Sequence, residues 1–390
     1  MIIKKLVLSN WKNFRSCEVD FQDRCFVIGP NAAGKSNLID ALRFLRDISK
    51  EAGGLQSAVR ERGGISRIRS LSARKEPVVS ITIETMDDTS HKPIWSYQLS
   101  ISQTGGGINP LFATVEKEVV YSFELEKYVL QRFPTKNSED DEMRRYTFLE
   151  QVNSNRDFRD LQQFFREVEY LNLIPQLVRE SASVGNLLIK EDHFGRNFLG
   201  NVAKLNERTR SSYFKRINEA LKIAVPQLEE LKFVKDEDGK PHLEARYIHW
   251  RAKGSKQQEV QFSDGTLRLI GLLFVLFNSK GVVLLEEPEI NLNPSIVSRI
   301  PEFISMIIRS GKGCKQVIIT THSYDLLNND GVSLDEVVVL NTSTEGSIAY
   351  KASERETIKA VVDSGFSIAE AVLPVTKPAN IENFDELRVD

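Results

Sequence analysis

The chain has little cysteine: Cys17, Cys25 and Cys314 are the only three in 390 residues. The number is odd and no pair has metal-ligand spacing, which argues against a disulfide scaffold or a cysteine metal site and fits a reducing compartment. It also lacks a long apolar run. The longest, Leu269–Phe277, is interrupted by Gly271 and covers about half of what a bilayer span needs, so it reads as a buried helix. No leader is visible, since the opening MIIKKLVLSNWKNF alternates like a strand. A cytoplasmic location is expected. Nor is there an excess of charge of either sign. Lys plus Arg is 52 and Asp plus Glu is 54, giving −2, which excludes a protein that is basic throughout but not a local basic patch. Internal repeats and low-complexity tracts are missing too. What remains is ordinary globular composition, 41% hydrophobic and 27% charged, and enough length for two to three domains at roughly 150 residues each.

Short strands are expected at Ile2–Ser9, Cys17–Phe21 and Arg24–Ile28, followed by a helix carrying Leu38, Ile39, Leu42 and Leu45 on one face. Strands continue at Val78–Thr85, Trp95–Gln103 and Val119–Leu130. From about Thr135 the composition turns polar and then helical, with main helices over Asp157–Val168 and Asn201–Ile223. Leu231–Trp250 returns to strand around an Asp238-Gly239 turn. Beyond it, helix (Thr266–Phe277), strand (Gly281–Leu285), helix (Pro294–Arg309) and strand (Gln316–Thr321) alternate. A hairpin at Val337–Leu340 and Ser347–Lys351, a helix near Glu354–Val362 and a loose tail from Pro374 complete the chain. Such alternation indicates an α/β core with a largely parallel sheet.

Four motifs carry chemistry. Gly29-Pro30-Asn31-Ala32-Ala33-Gly34-Lys35-Ser36 matches G-x-x-x-x-G-K-[ST] between a strand and a helix. Backbone N–H groups and a helix N-terminus there would cradle phosphates, Lys35 would meet the β- and γ-phosphates, and Ser36 would ligate Mg²⁺. Val282–Leu285 runs into Glu286-Glu287-Pro288-Glu289, placing carboxylates at the end of a buried strand. Glu286 would hold Mg²⁺ through water, and Glu287 would orient or deprotonate the attacking water. Phe262-Ser263-Asp264-Gly265-Thr266-Leu267-Arg268 opens an apolar helix. It can present a hydroxyl and N–H groups to a phosphate, or Ser263 or Asp264 can simply cap the helix. Thr320-Thr321-His322-Ser323 ends another buried strand, where a His can reach a γ-phosphate or fill a structural role.

In order and spacing these motifs resemble the ABC-type ATPase heads of the RecF, SMC and OLD group. The opening strand, Asn13-Phe14-Arg15-Ser16, strand and phosphate loop are similar to RecF-like heads, and Asn291-Leu292-Asn293-Pro294 resembles their D-loop. Glu286 stands where the commonest pattern has Asp, as in OLD-like ATPases, and FSDGTLR stands in place of LSGGQ. Gln56 is a candidate for the Q-loop glutamine.

The resemblance implies an ABC-type P-loop NTPase head of α/β class. It would have an N-terminal antiparallel β subdomain and phosphate loop over 1–134, an inserted, mainly helical lobe over 135–230, the rest of the head over 231–373 and a flexible tail over 374–390. It implies ATP and Mg²⁺ as cofactors, with ATP contacted by Asn13, Arg15, the loop Gly29 to Ser36, Asn37, Ser263, Gly265, Arg268 and Asn293. Ser36 and Glu286 would serve the metal, and Glu287 and His322 catalysis. The signature of one head would complete the ATP site of a second, so a homodimer or higher homo-oligomer is expected. The insert lacks sustained heptads, which sets the chain nearer RecF than SMC. No D-x-D motif follows His322, so a nuclease would have to be a separate protein. Two roles follow: an ATPase controlling a separate effector (nuclease or toxin) in anti-phage defence, or a RecF-like DNA-binding ATPase in repair. For DNA, the cations of Arg60–Lys75 and Lys204, Arg208, Arg210, Lys215 and Arg216 are the candidate contacts. A slowly hydrolysing ATP switch is a third.

Overall fold

A computed structural model describes residues 1–106, 109–135, 139–181, 193–248 and 255–377. In chain order it begins with β1 (Ile2–Trp11), β2 (Phe14–Asp20), β3 (Arg24–Ile28), α1 (Lys35–Ser49), α2 (Leu55–Glu61) and α3 (Ile65–Ile68). Then come β4 (Val79–Met86), β5 (Pro93–Gly106), β6 (Asn109–Ser122), β7 (Lys127–Arg132), α4 (Arg159–Arg166), β8 (Glu169–Leu171), α5 (Pro175–Glu180), α6 (Phe198–Lys204) and α7 (Glu207–Ala224). β9 (Leu228–Lys235), β10 (Pro241–Tyr247), β11 (Ser255–Gln258), α8 (Asp264–Asn278), β12 (Val282–Glu286), α9 (Pro294–Val297) and α10 (Ile300–Ser310) follow. The last are β13 (Gln316–Thr320), α11 (Tyr324–Leu327), β14 (Val337–Ser343), β15 (Gly346–Lys351), α12 (Glu356–Asp363) and α13 (Ile368–Val372). The result is a mixed α/β fold with an antiparallel sheet and flanking helices.

Two compact units emerge: Met1–Val168 with Lys315–Asp390, and Glu169–Cys314. The first holds an antiparallel sheet ordered β2-β1-β4-β5-β6-β7. Alternate residues of β4 (Val79, Ile81, Ile83) are buried and those between are half-buried, as one covered face dictates. The same unit holds β3, buried at all five residues, with β13 and β14 parallel on either side and β15 antiparallel to β14. Strands covered on both faces read as continuous apolar runs, which is why β3, β13 and β14 stood out in the sequence.

The second unit holds β12 parallel to β8, the sheet β11-β10-β9, and the apolar helix α8, buried along Thr266–Phe277. Of the helices expected between 135 and 230, α4 belongs to the first unit, where Gln162 donates to the Ser49 carbonyl of α1 at 2.6 Å. α5, α6 and α7 belong to the second. The expected boundary near 134 falls inside the first unit and that near 230 inside the second, because packing rather than polarity sets the division.

One expected helix is broken. Pro294–Arg309 is α9 and α10 with Ser298 and Arg299 between them. Pro301, near the start of α10, has no N–H to donate to the preceding turn, so a continuous helix cannot form. At the other end, Pro374–Thr376 form one 3₁₀ turn, and residues 378–390 of the expected tail lie outside the described residues. No helix among the described residues is long and apolar enough to cross a membrane.

Candidate nucleotide site

The phosphate loop leaves the C-terminal end of buried β3 and turns directly into α1. Two residues in it have left-handed backbone, Ala32 (φ 64°) and Gly34 (φ 99°). Gly34 is required twice over. A Cβ there would lie 2.2–2.7 Å from the side-chain amide of Asn13, closer than atoms can approach. Asn13 in turn donates to Ser347 Oγ at 2.7 Å and accepts from Asn37 Nδ2 at 2.9 Å. The Trp11 indole donates to the Asn37 carbonyl at 2.8 Å. Asn13 and Asn37, read from the sequence as nucleotide contacts, therefore brace the loop from behind.

Lys35 is buried, and its ammonium donates to the carbonyls of Gly29 (3.0 Å) and Pro30 (3.3 Å), which aims it back along the loop. Asn31, Ala32 and Ser36 are exposed. The first turn of the 15-residue α1 has no acidic residue, so its positive end is not neutralised from within. Arg15, another expected contact, is ion-paired with Glu345, which also takes Arg74 at 2.9 Å.

His322 is exposed just beyond β13. The parallel register puts Thr320 beside Val27, and the Thr321 N–H donates to the Val27 carbonyl at 3.1 Å. His322 thus follows a strand end level with the last residues of β3, where the loop begins. Ser323 caps α11 through Leu326 N–H.

In the second unit, Glu286 ends β12 and accepts a hydrogen bond from the Tyr170 hydroxyl of β8. Glu287, next in the chain, has φ 43°. Left-handed backbone at a residue other than glycine costs on the order of 1 kcal/mol or more, and such strain gathers at functional positions. Arg268 is covered, with its guanidinium 3.5 Å from the Glu287 carbonyl. Burial pulls that guanidinium below its ordinary value, against the opposing charges of Glu289, Asp264 and Glu287. Arg268 thus lies against the Glu287 backbone at the limit of hydrogen-bond distance.

The signature helix α8 starts at Ser263, whose hydroxyl accepts from Thr266 N–H at 3.2 Å: the capping reading is realised. Asp264 is held by Arg179 and by Gln176, the latter at 3.1 Å. A Cβ on Gly265 would lie 2.5 Å from the Asn291 carbonyl, so only glycine lets the helix start approach the segment after Glu289. Asn293 caps α9 through Ser295 N–H at 2.9 Å.

Four residues expected to meet nucleotide or DNA are engaged elsewhere. Gln56 donates to the carbonyls of Ala113 (2.8 Å) and Arg145 (2.7 Å) and accepts from Ala113 N–H (3.2 Å), so its carboxamide clamps α2 to β6 rather than facing a nucleotide. Within the Arg-rich stretch, the nearly covered side chain of Arg62 lies between Asp40 and Asp47, each at 2.8 Å, whereas Arg60, Arg67, Arg74 and Lys75 are exposed. On the helical cluster, Arg210 lies over the Phe233 ring at 4.3 Å and Arg216 over Phe277 at 5.5 Å, while Lys204, Arg208 and Lys215 are exposed.

The donor set fits a magnesium nucleotide. Lys35 and the open end of α1 suit phosphate, and a Cβ-free cradle at Gly34 lets the backbone turn toward it. Ser36, exposed in the same first turn, offers a hard oxygen. No group of three or more His, Cys, Asp or Glu that could hold a metal alone occurs among the described residues.

This architecture and loop are those of the P-loop ATPase fold. Residues 25–328 match the family described as "AAA domain, putative AbiEii toxin, Type IV TA system", and residues 3–46 match the "P-loop containing region of AAA domain". The chain belongs to this AAA-domain family. Its fold is similar to that of an SMC head solved bound to the C-winged helix domain of ScpA. The identity is 14% over 91% of this chain and 99% of that one, with a TM-score of 0.56. It is also similar to the SMC head with an extended coiled coil derived from Pyrococcus furiosus, bound to the C-terminal domain of ScpA: 15% identity over 94% and 100%, TM-score 0.51. A search of curated protein sequences finds no match.

Proposed function

We propose that this protein binds and hydrolyses ATP with Mg²⁺, and that ATP-dependent pairing of two such heads controls a separate effector, a nuclease or toxin, in anti-phage defence. The observation that carries the nucleotide reading is the phosphate loop braced by Asn13 behind Gly34. On this reading Lys35 and the N–H groups at the start of α1 hold the phosphates, Ser36 and Glu286 serve the metal, and Glu287 takes the proton of the attacking water. Mg²⁺ supplies charge neutralisation at the β- and γ-phosphates. His322 contacts the γ-phosphate. The signature residues Ser263 and Gly265, with Asn293, face the nucleotide of the second head.

Effector control is favoured over DNA binding because Arg62, Arg210 and Arg216 of the two basic stretches are engaged within the protein. Exposed Arg60, Arg67, Lys75, Lys204, Arg208 and Lys215 keep backbone-directed DNA binding as the second reading.

Steady-state phosphate release by wild type and Glu287→Gln tests the chemistry. A drop of about 100-fold or more is expected, in line with loss of a general base. Equal rates refute the assignment. Light scattering of Glu287→Gln with and without ATP tests the pairing, and a monomer in both conditions removes it.

A further inference from the structure

We propose that Tyr170 is a positioning residue for the magnesium carboxylate Glu286, making this head dependent on a tyrosine tether where a shorter aspartate would need none. The inference rests on the ATPase reading and adds a residue to it.

Its basis is strand register. β8 and β12 run parallel, with Tyr170 beside Leu284 and Leu171 beside Leu285. Side chains two residues apart share a face, so Tyr170, Leu284 and Glu286 lie on the same side of the pair. Two residues along a strand span roughly 6.6 Å, about the reach of a tyrosine from Cα to its hydroxyl. The Tyr170 hydroxyl therefore arrives at the Glu286 carboxylate one step further along, where it donates to Oε2. Glutamate has one more rotatable bond than aspartate, and the hydrogen bond fixes the freedom which that bond adds. The ring itself is fixed. His193 packs edge-on to it at 5.2 Å and 72°, and the His193 carbonyl accepts from Asn172 N–H at 2.9 Å, just past β8. Outer partners of metal-ligating carboxylates orient the ligand in this way, and their loss costs about 10–100-fold in metal affinity.

The test is a double-mutant cycle of Tyr170→Phe and Glu286→Asp in the full chain, on protein whose thermal midpoint without metal matches wild type. Mn²⁺ binding in the presence of a non-hydrolysable ATP analogue is followed by electron paramagnetic resonance, and analogue binding in EDTA is measured alongside. Tyr170→Phe should weaken Mn²⁺ about 10-fold or more and leave analogue binding in EDTA unchanged. In the Glu286→Asp background, whose carboxylate no longer reaches the hydroxyl, the same substitution should change Mn²⁺ affinity less than about 2-fold. An unchanged Mn²⁺ affinity in Tyr170→Phe, or losses that multiply in the double variant, overturns the tether while leaving the ATPase reading standing. Wild type that binds no Mn²⁺ with the analogue overturns both.

Discussion

Replacing Gly34 by alanine is the sharpest test of how the loop is built. Two independent costs meet at this residue. The first is conformational: φ of 99° suits glycine, and alanine there costs on the order of 1–2 kcal/mol. The second is steric, since the new methyl would overlap Asn13, which must then leave Ser347 and Asn37. Two hydrogen bonds of about 1 kcal/mol each bring the expected loss to roughly 3–4 kcal/mol. Asn13→Ala removes the obstacle but not the strain, so the two substitutions should couple. In the Asn13→Ala background, Gly34→Ala should cost only the conformational part, a difference of about 2 kcal/mol. Urea unfolding of the four proteins measures it, and a fluorescent ATP analogue reports whether the loop still binds. Simple additivity would show that Asn13 does not brace the loop and would refute the reasoning.

Glu287→Gly should raise stability by about 0.5–1 kcal/mol, by relieving the strain at φ 43°, while phosphate release falls; a destabilised variant counts against the strain. Arg62→Met leaves Asp40 and Asp47 buried without their shared guanidinium. At neutral pH the loss should lie toward the low end of about 3–5 kcal/mol, because Lys12 and Arg46 remain. Burial alone would raise both aspartates, yet the charges and hydrogen bonds of Arg62 and its neighbours hold each below its ordinary 3.8. Their contribution is thus complete above that value and is lost as pH falls through the lower folded value. The gap between wild type and Arg62→Met should accordingly narrow as pH drops below about 4, and a gap that is constant with pH would contradict the ion-pair account.

The sequence already showed the strand, loop and helix around Lys35, and the acidic strand end at Glu286, because buried parallel strands and phosphate loops each leave an unbroken local pattern. What it could not show lies between distant residues. Tyr170 meets Glu286 across a separation of 116 positions, and nothing near either one announces the other. Arg62 looked like part of a basic patch until α1 supplied two aspartates for it. Asn13 and Gln56 were legible as polar residues near the right elements, but the direction of each side chain depends on Gly34 and on the β6 backbone. The strain at Glu287 left no sequence signal: Pro288 after it restricts the backbone without specifying a left-handed one. Pro301 did carry a breaker signal, which the continuous helix expected over Pro294–Arg309 left out of account.

The neighbours of β3 have a consequence for synthesis. Both strands that pair with it, β13 and β14, come from the far end of the chain. At about 5–20 residues per second, a ribosome that has released β3 needs on the order of tens of seconds to deliver them. Throughout that interval the strand ahead of Lys35 lacks its native partners and is open to mispairing. A nascent chain, or one cut short before residue 316, therefore lacks the strands that flank the phosphate loop's own strand, and on the ATPase reading it should not bind nucleotide until translation has passed β14.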